Sequence, residues 1–392
     1  MQLSELAAVV KRAADEAGFD LCGIAPAAVP ELQHFPEWIA ASHAGEMEYM
    51  KSRDQQGQLK RGSLSRVAPW ARSVIVCAIN YNTRYPYSTQ VTDPNRGWIS
   101  RYAWSREDYH DAVMRRLKQV EAAIHRVVLG WQAPSVTPVE NPTSRKSGEK
   151  WGTPLSTLVT RCYVDTGSIV ERAFAQYAGV GWIGKNTCII NQKKGSWLFL
   201  GVILTSLELE PEVSASNPPA PDRCGTCTRC IEACPTDAII APYQLDSNKC
   251  ISYLTIEKRG AIPEDLRAGM GRQVFGCDIC QDVCPWNRKA PVSTAPEFEP
   301  RPGLVNPALA WLAEMSPEEF REVFRGSPIR RAKRNGLRRN AAIAMGNSGN
   351  RGFLSVLEKM SADEDESVAE SARWAKEHLL KGTQMKPVSP PT

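Results

Sequence analysis

Eight of the twelve cysteines of this chain are concentrated in one short region, and they constrain its fold more than any other feature. The first stretch, CGTCTRCIEACP (224–235), has the spacing C-x2-C-x2-C-x3-C followed by proline. Bacterial ferredoxins use this spacing to wrap three cysteines around one [4Fe–4S] cluster while the fourth reaches a second cluster. Zinc sites, the alternative, usually pair two C-x2-C units across a longer gap. The spacing therefore predicts a two-cluster iron–sulfur module.

The second half of this region, CDICQDVCP (277–285), supplies only three cysteines. By the ferredoxin crossover, Cys284 serves the first cluster and Cys234 serves the second. The second cluster then lacks one ligand, and Cys250 is the only other cysteine between the two halves. We predict that Cys250 fills this place; the alternative is that Cys250 is a core thiol and the second cluster is incomplete. The predicted ligands are Cys224, Cys227, Cys230 and Cys284 for the first cluster, and Cys234, Cys250, Cys277 and Cys280 for the second.

The start of the chain has the periodicity of an amphipathic helix and the acidic residues Glu5, Asp15 and Glu16, which do not suit a signal peptide or a twin-arginine leader. No apolar run reaches the ~18 residues that a membrane span requires. We therefore expect a cytoplasmic protein without a membrane partner, in which cysteines do not form disulfides. The four cysteines outside the cluster region are expected to be buried thiols without a role: Cys22, Cys77, Cys162 and Cys188.

Hydropathy patterns divide the 392 residues into three folded parts, which predict an α+β or α/β multidomain protein. Residues 1–210 alternate helical patterns with short apolar strands and predict an α/β domain. Residues 211–292 hold the cysteines and predict a ferredoxin-like domain. Residues 307–382 predict short helices joined by Gly-, Asn- and Asp-bearing turns, an all-α unit of HEAT-like repeats. Residues 383–392 predict a disordered tail.

A glycine-rich stretch, AGVGWIGKN (178–186), matches the simple pattern of phosphate-binding loops. Such a loop must follow a strand and open a helix, because the phosphate sits on the helix N-terminus. Here the stretch follows a helical pattern and leads into the strand pattern TCIIN, and Asn186 stands where a Walker loop needs Ser or Thr. We do not expect a nucleotide site.

Several separate segments together resemble the epoxyqueuosine reductase family over nearly the whole chain. They are RYAWSREDYH (101–110), CYVDTGSIVERAFAQYAGVGWIGKN (162–186), GSWLFLG (195–201), the eight cysteines with CISYLT, and the helical C-terminal part. The family is related to corrinoid reductive dehalogenases. The resemblance implies reduction of the epoxide of epoxyqueuosine to queuosine at the wobble position of tRNA, the last step of queuosine biosynthesis.

The same resemblance implies the cofactors. Electrons would pass through two [4Fe–4S] clusters to cobalamin, bound base-off and resting as cob(II)alamin. The D-x-H-x-x-G motif of corrinoid proteins with a histidine ligand is absent from the sequence, which suits a cobalamin without a protein histidine ligand. The cobalamin contacts that the resemblance implies are Arg61, Ser100, Asp165, Asn186, Ile189, Leu200 and Ser252.

The resemblance assigns the proton donor to Asp165, in the segment VDTG. This residue follows an apolar strand pattern and precedes a helical one, where a carboxyl can be desolvated and its pKa raised toward neutrality. The alternative is that Asp165 caps the N-terminus of the helix SIVERAF.

The substrate gives a role to a basic run between Arg325 and Arg339, which contains seven basic residues and no acidic ones. Such a run is usually a solvated helix face, but it can also neutralise the phosphates of RNA. The resemblance implies tRNAs with a GUN anticodon, those for Tyr, His, Asp and Asn. The predicted tRNA contacts are Arg330, Arg331, Lys333, Arg334, Arg338 and Arg339.

Three other functions are open to the sequence alone. A reductive dehalogenase is expected to have an export leader and to lack the basic helical part. An electron-transfer protein that serves a separate reductase would need no corrinoid. An RNA-binding module stabilised by iron–sulfur clusters would bind tRNA without redox chemistry. For the reductase, we expect a monomer and an electron donor that the sequence does not identify.

Overall fold

The computed structural model describes residues 3–129, 158–213 and 217–382; the predicted tail, 383–392, lies outside them. Within these ranges the strands are β1 (Leu21–Pro26), β2 (Ser73–Asn80), β3 (Trp98–Ile99), β4 (Thr160–Tyr163), β5 (Trp182–Ile183), β6 (Ile189–Ile190), β7 (Leu198–Thr205), β8 (Ile239–Ala241), β9 (Gln244–Leu245) and β10 (Gln273–Phe275). The α-helices are α1 (Leu3–Glu16), α2 (His34–Ala40), α3 (Tyr109–Leu129), α4 (Glu171–Tyr177), α5 (Arg229–Glu232), α6 (Ile251–Ile256), α7 (Glu264–Arg267), α8 (Ile279–Asp282), α9 (Leu309–Glu314), α10 (Pro317–Val323), α11 (Lys333–Asn347), α12 (Leu354–Met360) and α13 (Glu366–Lys381).

A four-stranded sheet forms the centre of the N-terminal part, in the order β1-β2-β7-β4 with every neighbouring pair antiparallel. Strand β2 is buried along its whole length. Its residues alternate between two apolar clusters, with Ile75 and Cys77 on one face and Val74 and Val76 on the other, as the two-residue period of a strand requires. The antiparallel pairing makes this part α+β.

Helices cover both faces of the sheet. Helices α1 and α3 contribute to the cluster on one face, and α4 to the cluster on the other. The apolar stripe of α3 is buried from Tyr109 to Ile124, but Val127 is 42% exposed. Close packing of α3 on β7 depends on Gly201, because a Cβ at this position would lie 2.8 Å from Leu117 Cδ1.

The cysteine region consists of short elements that follow its cysteines. Helices α5 and α8 pack together; α5 follows Cys224 and Cys227, and α8 begins between Cys277 and Cys280. Strand β10 lies directly before Cys277 and pairs in parallel with β3 of the N-terminal part. This pairing ties the second cysteine loop to the sheet-bearing part of the chain.

The helical C-terminal part is organised around α11, which packs against α9 and α13. Polar side chains of α11 face inward: Asn340 donates hydrogen bonds to Thr255 O at 2.9 Å and to Val274 O at 2.8 Å. Trp98 and Val274 belong to the same apolar cluster as α11. The helical part therefore shares its core with the cysteine region and with β3. No helix within the described ranges is long and apolar enough to cross a membrane.

Candidate functional site

The first group of cysteines contains Cys284 and the three cysteines of the first loop. Cys284 packs in one small cluster with Cys224, Trp182 and Ile190. Burial and then nearby thiolates, among them Cys224, raise the pKa of Cys284 to about 12. Burial and then the thiolates of Cys224 and Cys227 raise the pKa of Cys230 to about 11. The four cysteines predicted for the first cluster are thus neighbours.

The second group places Cys250 between the two halves of the region. Cys250 is the residue that immediately precedes α6. Burial and then the thiolates of Cys250 and Cys234 raise the pKa of Cys277 well above its ordinary value. Burial likewise raises the pKa of Cys250, with Cys234 adding to it. These neighbours favour Cys250 as a ligand over the alternative of an unrelated core thiol.

The two groups together contain eight buried or half-buried thiols. In the described part of the chain, no three His, Cys, Asp or Glu side chains converge closely enough to hold one metal ion. A [4Fe–4S] cluster instead spreads four thiolates around a cube of iron and sulfide. Two groups of four buried or half-buried thiols fit that donor set.

Cys188 is a residue whose position the sequence did not predict. Instead of lying among apolar residues far from the clusters, its thiol bonds the thiol of Cys280, and this contact lowers the pKa of Cys188. The other thiols predicted to have no role, Cys77 and Cys162, are buried in the sheet, and Cys22 is half-buried beside Cys77 at an Sγ–Sγ distance of 3.7 Å. Cys188 lies two residues after Asn186, the last residue of the glycine-rich stretch. This position could have indicated a place near the clusters.

The glycine-rich stretch connects α4 to the hairpin β5–β6 and touches both cysteine groups. Lys185 Nζ donates to Gly225 O at 2.6 Å and to Cys227 O at 3.1 Å. Asn186 Nδ2 donates to Cys280 O at 3.3 Å. The stretch runs from helix to strand, the order that argued against a nucleotide loop, and it instead bridges the N-terminal part and the cysteine region.

Asp165 lies in the loop that joins β4 to α4. Its backbone has a φ of 55°, in the left-handed region that non-glycine residues rarely adopt. The alternative, in which Asp165 caps the helix SIVERAF, is wrong, because α4 begins at Glu171 and the residue before it is Val170. The side chain is exposed, so the surrounding residues do not supply the predicted desolvation. An unusual backbone thus presents this carboxylate at the surface of the loop.

Tyr109 is the partner of Asp165, and the sequence missed it. The Tyr109 hydroxyl donates a hydrogen bond to Asp165 Oδ2. Its ring stacks on Phe199 with centroids 4.4 Å apart and on His110 with centroids 4.0 Å apart. Burial and then the charge of Asp165 raise the pKa of Tyr109 well above its ordinary value. Tyr109 therefore stays a hydrogen-bond donor throughout the neutral pH range.

Arg61 holds the Asp165 loop from the opposite side. It is 7% exposed, and its guanidinium donates to Gly167 O and to Tyr49 O, both at 2.7 Å. Both acceptors are backbone carbonyls, so Arg61 fixes the path of the loop, and its positive charge also acts on the nearby carboxyl of Glu171.

The other residues predicted to contact cobalamin lie in two places. Ile189 and Leu200 belong to, or pack against, the apolar cluster that also contains Ile169 of the loop. Ser100 and Ser252 lie at the second cysteine group. The Ser100 hydroxyl bonds the carboxylate of Asp278, next to Cys277, and Ser252 is the second residue of α6, after Cys250.

The basic run divides into exposed and buried side chains. Arg330 and Lys333 are exposed, and their side chains have no hydrogen-bond or ion-pair partner among the described residues. Arg331 is exposed but pairs with Glu257. Arg334 is half-buried, and its Nε donates to Met315 O at 2.7 Å. These four side chains lie around the start of α11.

The structure corrects the prediction for Arg338 and Arg339, which face inward from α11. Arg338 is paired with Asp363 at 2.7 Å. Arg339 is 1% exposed and donates to Leu254 O at 2.8 Å and to Gly260 O at 2.7 Å. The periodicity of α11 turns both away from the surface. Arg338 bonds within the helical part, and Arg339 connects that part to the cysteine region.

A cavity of 340 Å³ opens at the start of α11. Its charged lining residues are five basic ones, Lys258, Arg259, Lys333, Arg334 and Arg339, and one acidic one, Asp365. The first backbone N–H groups of a helix are unpaired and carry a partial positive charge, which adds to the charge of these side chains. The cavity is therefore suited to an anion such as a phosphate group.

Two family models match the chain. One, described as a 4Fe-4S double cluster binding domain, matches residues 223–287. The other, described as epoxyqueuosine reductase QueG, DUF1730, matches residues 61–137. The first confirms the iron–sulfur prediction at the level of a two-cluster domain.

Curated relatives and solved structures agree with these models. The epoxyqueuosine reductase of Xanthomonas campestris pv. campestris is 37% identical over 376 residues, covering 95% of this chain and 96% of the relative. That of Synechocystis sp. is 40% identical over 325 residues, covering 81% and 98%.

Two solved structures of such enzymes cover 96% of this chain and 91% of their own. One, with a tRNA-Tyr epoxyqueuosine-modified tRNA stem loop, has a TM-score of 0.79 at 27% identity. The other, from Bacillus subtilis with a catalytic loop named for an aspartate swung out of the active site, has a TM-score of 0.78 at 26% identity. The chain belongs to the epoxyqueuosine reductase family, oxidoreductases that act on tRNA.

Proposed function

We propose that this protein reduces the epoxide of epoxyqueuosine at the wobble position of tRNA to the alkene of queuosine. Two electrons and two protons enter, both carbon–oxygen bonds of the epoxide break, and the oxygen leaves as water. The observation that carries this proposal is the placement of one exposed carboxylate, Asp165, in a loop fixed by Arg61 and Tyr109, in a chain that also has two groups of four cysteines. Besides burial, the charges of Asp165 and of Asp278, the neighbour of Cys277, raise the pKa of Tyr102, so the loop and the second cysteine group lie near one another. That arrangement offers a proton and an electron path at one place.

We assign the electron path to two [4Fe–4S] clusters. Cys224, Cys227, Cys230 and Cys284 would hold the first, and Cys234, Cys250, Cys277 and Cys280 the second. Asn186 bonds the backbone of Cys280 and lies three residues before Ile189, so the second cluster would face the cofactor side. An external low-potential donor would supply the electrons.

Cobalamin fits the residues present. A corrinoid is a large macrocycle with apolar faces and amide side chains, which apolar residues and a few polar groups can hold. Leu200 offers apolar surface backed by the buried Ile189, and the half-buried Ser252 offers a hydroxyl on the side of the second cysteine group. Asn186 and Ser100 are buried and bonded to Cys280 O and Asp278, so they would support the cofactor site from behind. When bound, cobalamin would supply strongly reducing and nucleophilic cobalt, the chemistry that side chains lack.

Asp165 would donate a proton to the epoxide oxygen as a carbon–oxygen bond breaks. An alkoxide is a poor leaving group, so an acid at that oxygen lowers the barrier. In the Bacillus subtilis relative, a catalytic loop is likewise named for an aspartate. Tyr109 would orient the carboxylate through its hydrogen bond, and Arg61 would hold the loop.

Tyr109→Phe should lower the single-turnover rate by ~10-fold, because it removes the hydrogen bond that orients Asp165 while leaving the acid in place. The substitution keeps the ring and its stacking on Phe199. The rate would be measured by mass spectrometry of nucleosides from the tRNA. Tyr163→Phe, in β4 of the same part, is the control and should keep the rate; an equal loss in both variants would contradict the role of Tyr109.

We propose that tRNA binds at the start of α11. Arg330 and Lys333 are exposed there, and the adjacent cavity is suited to a phosphate. Lys333 has a φ of 59° and a ψ of 163°, a conformation normally reserved for glycine. Such a costly backbone at the entrance to a basic cavity supports a binding role for this corner.

Replacing both Arg330 and Lys333 with glutamine should weaken tRNA binding and reduce the slope of log affinity against log salt by about 1 to 2, because each residue neutralises one phosphate. Filter binding or fluorescence anisotropy across a salt series would measure both. Arg12 and Lys359, exposed on α1 and α12, are the matched control. Equal effects in the two double variants would show that only net charge matters.

The reaction itself is tested with enzyme purified without oxygen and with reconstituted clusters. Epoxyqueuosine-containing tRNA, a strong reductant and cobalamin are added, and the digested nucleosides are analysed by mass spectrometry. Loss of one oxygen that depends on cobalamin is expected. Conversion without any corrinoid would overturn the cofactor proposal, and no conversion with clusters and corrinoid bound would overturn the proposed substrate.

A further inference from the structure

We infer that Glu171 is a second acid of this site, which takes up a proton from solvent and passes it to Asp165. The inference rests on the proposed function and deepens it. Reduction of an epoxide to an alkene and water consumes two protons, and Asp165 holds only one. A second carboxyl beside it would let the site deliver both protons without opening to bulk water between them.

The position of Glu171 suits this role. It is the first residue of α4, at the end of the loop that carries Asp165. Its Oε1 is buried and has no hydrogen-bond partner among the described residues. The residue as a whole is half-buried, so it keeps some contact with solvent. A buried carboxylate oxygen without a donor is costly in its ionised form, and its protonated form avoids that cost.

The charged groups around Glu171 do not hold it ionised by an ion pair. Arg61 is near, but its guanidinium donates to two backbone carbonyls, those of Tyr49 and Gly167. Arg172, on the same helix, donates to Thr187 O at 2.6 Å. The remaining charged neighbour is Asp165, whose negative charge opposes ionisation of Glu171. Two carboxyls in such an arrangement tend to share a proton.

The electrostatics agree with this geometry. Burial and then the charge of Asp165 raise the pKa of Glu171 to about 7, against weaker lowering by a hydrogen bond from its own backbone N–H and by the charges of Arg61 and Arg172. An acid with a pKa near the working pH is protonated often enough to give a proton and basic enough to recover one. The protonated fraction falls as pH rises through 7, so proton supply through Glu171 should fail on the alkaline side.

Single-turnover reduction of epoxyqueuosine-containing tRNA, followed across neutral pH, tests the inference with reconstituted enzyme. The wild-type rate should fall with rising pH around a midpoint of about 7. Glu171→Gln should lower the acid-side rate by ~10-fold or more and remove that midpoint. The matched control is Glu121→Gln, which neutralises a half-buried carboxylate on α3 that is paired with Lys118. It should keep the wild-type profile.

An infrared titration of the same reconstituted protein gives a readout besides activity. The band of protonated carboxyl groups should lose intensity in the wild type as pH rises through about 7. Glu171→Gln should lower this loss by the share of one carboxyl, because Asp282, whose pKa burial raises to about 8, still contributes. Glu121→Gln should retain the whole loss. If Glu171→Gln does not assemble its clusters, Glu171→Asp replaces it in both measurements. This variant keeps a carboxyl and should retain a titration with a shifted midpoint.

The outcomes separate this inference from the proposed function. A wild-type rate without a midpoint near neutrality, or a Glu171→Gln profile identical to that of the wild type, overturns the role of Glu171. The same holds if Glu171→Asp keeps the wild-type midpoint in both measurements. If wild-type enzyme converts the tRNA and Asp165→Asn does not, the proposed function survives such a result. If Asp165→Asn converts the tRNA at the wild-type rate, the assignment of Asp165 itself fails.

Discussion

Asp165→Asn should lower the single-turnover rate of epoxide reduction by ~10²–10⁴-fold, the range that general acids contribute. Asparagine keeps the size of the side chain and can still accept a hydrogen bond from Tyr109, so the loop should keep its structure. It cannot give up a proton at neutral pH. The loss should therefore appear in the rate of the chemical step, measured by nucleoside mass spectrometry with enzyme in excess over tRNA.

Clusters, cobalamin binding and tRNA affinity should be unchanged in this variant. Asp165 is exposed and is bonded through one side-chain oxygen to Tyr109, so its replacement leaves no buried group without a partner. The control is Asp111→Asn, which removes an exposed carboxylate from the first turn of α3, the helix that begins at Tyr109. A wild-type rate in Asp165→Asn, or an equal loss in Asp111→Asn, would contradict the assignment of the acid.

The local spacing of the cysteines made the two-cluster iron–sulfur module predictable. The C-x2-C-x2-C-x3-C-P run specifies its geometry within a few residues, and counting the remaining cysteines was enough to point to Cys250. The buried strands were predictable for a related reason. An apolar run such as VIVCAI (74–79) has no polar face to offer solvent, so it belongs in the centre of a sheet.

Residues that act across long sequence distances were not predictable in the same way. Tyr109 fits an apolar helical stripe, and only the fold shows that its hydroxyl reaches Asp165, 56 residues away. Cys188 is one of four scattered cysteines until the hairpin β5–β6 brings it to Cys280. In each case the chemistry depends on a tertiary contact that no local pattern specifies.

The basic run shows a further limit of pattern reasoning. Charge alone cannot distinguish a side chain that faces RNA from one that bonds backbone carbonyls of a neighbouring element. Arg330 and Lys333 are exposed at the start of α11, whereas Arg339 lies inside with its donors on Leu254 O and Gly260 O. A buried arginine with satisfied donors serves the structure, and its replacement would test stability rather than tRNA binding.

Cys250→Ala should remove one of the two clusters and abolish turnover. Two [4Fe–4S] clusters contain about eight irons per chain, so the iron content of the reconstituted variant should fall to about four. Loss of the cluster that faces the cofactor side would interrupt the electron path, and no reduction of tRNA is expected. Iron analysis, together with electron paramagnetic resonance of the reduced protein, measures the clusters, and nucleoside mass spectrometry measures the reaction.

Two further variants make this test specific. Cys22→Ala removes a half-buried thiol of β1 and should keep about eight irons, which controls for general instability on cysteine loss. Cys188→Ala is the sharper comparison, because Cys188 contacts Cys280 and is the ninth thiol near the clusters. If Cys188→Ala loses iron and Cys250→Ala does not, Cys188 is the fourth ligand of the second cluster. If Cys188→Ala keeps about eight irons and Cys250→Ala keeps about four, Cys250 and not Cys188 is the fourth ligand of the second cluster.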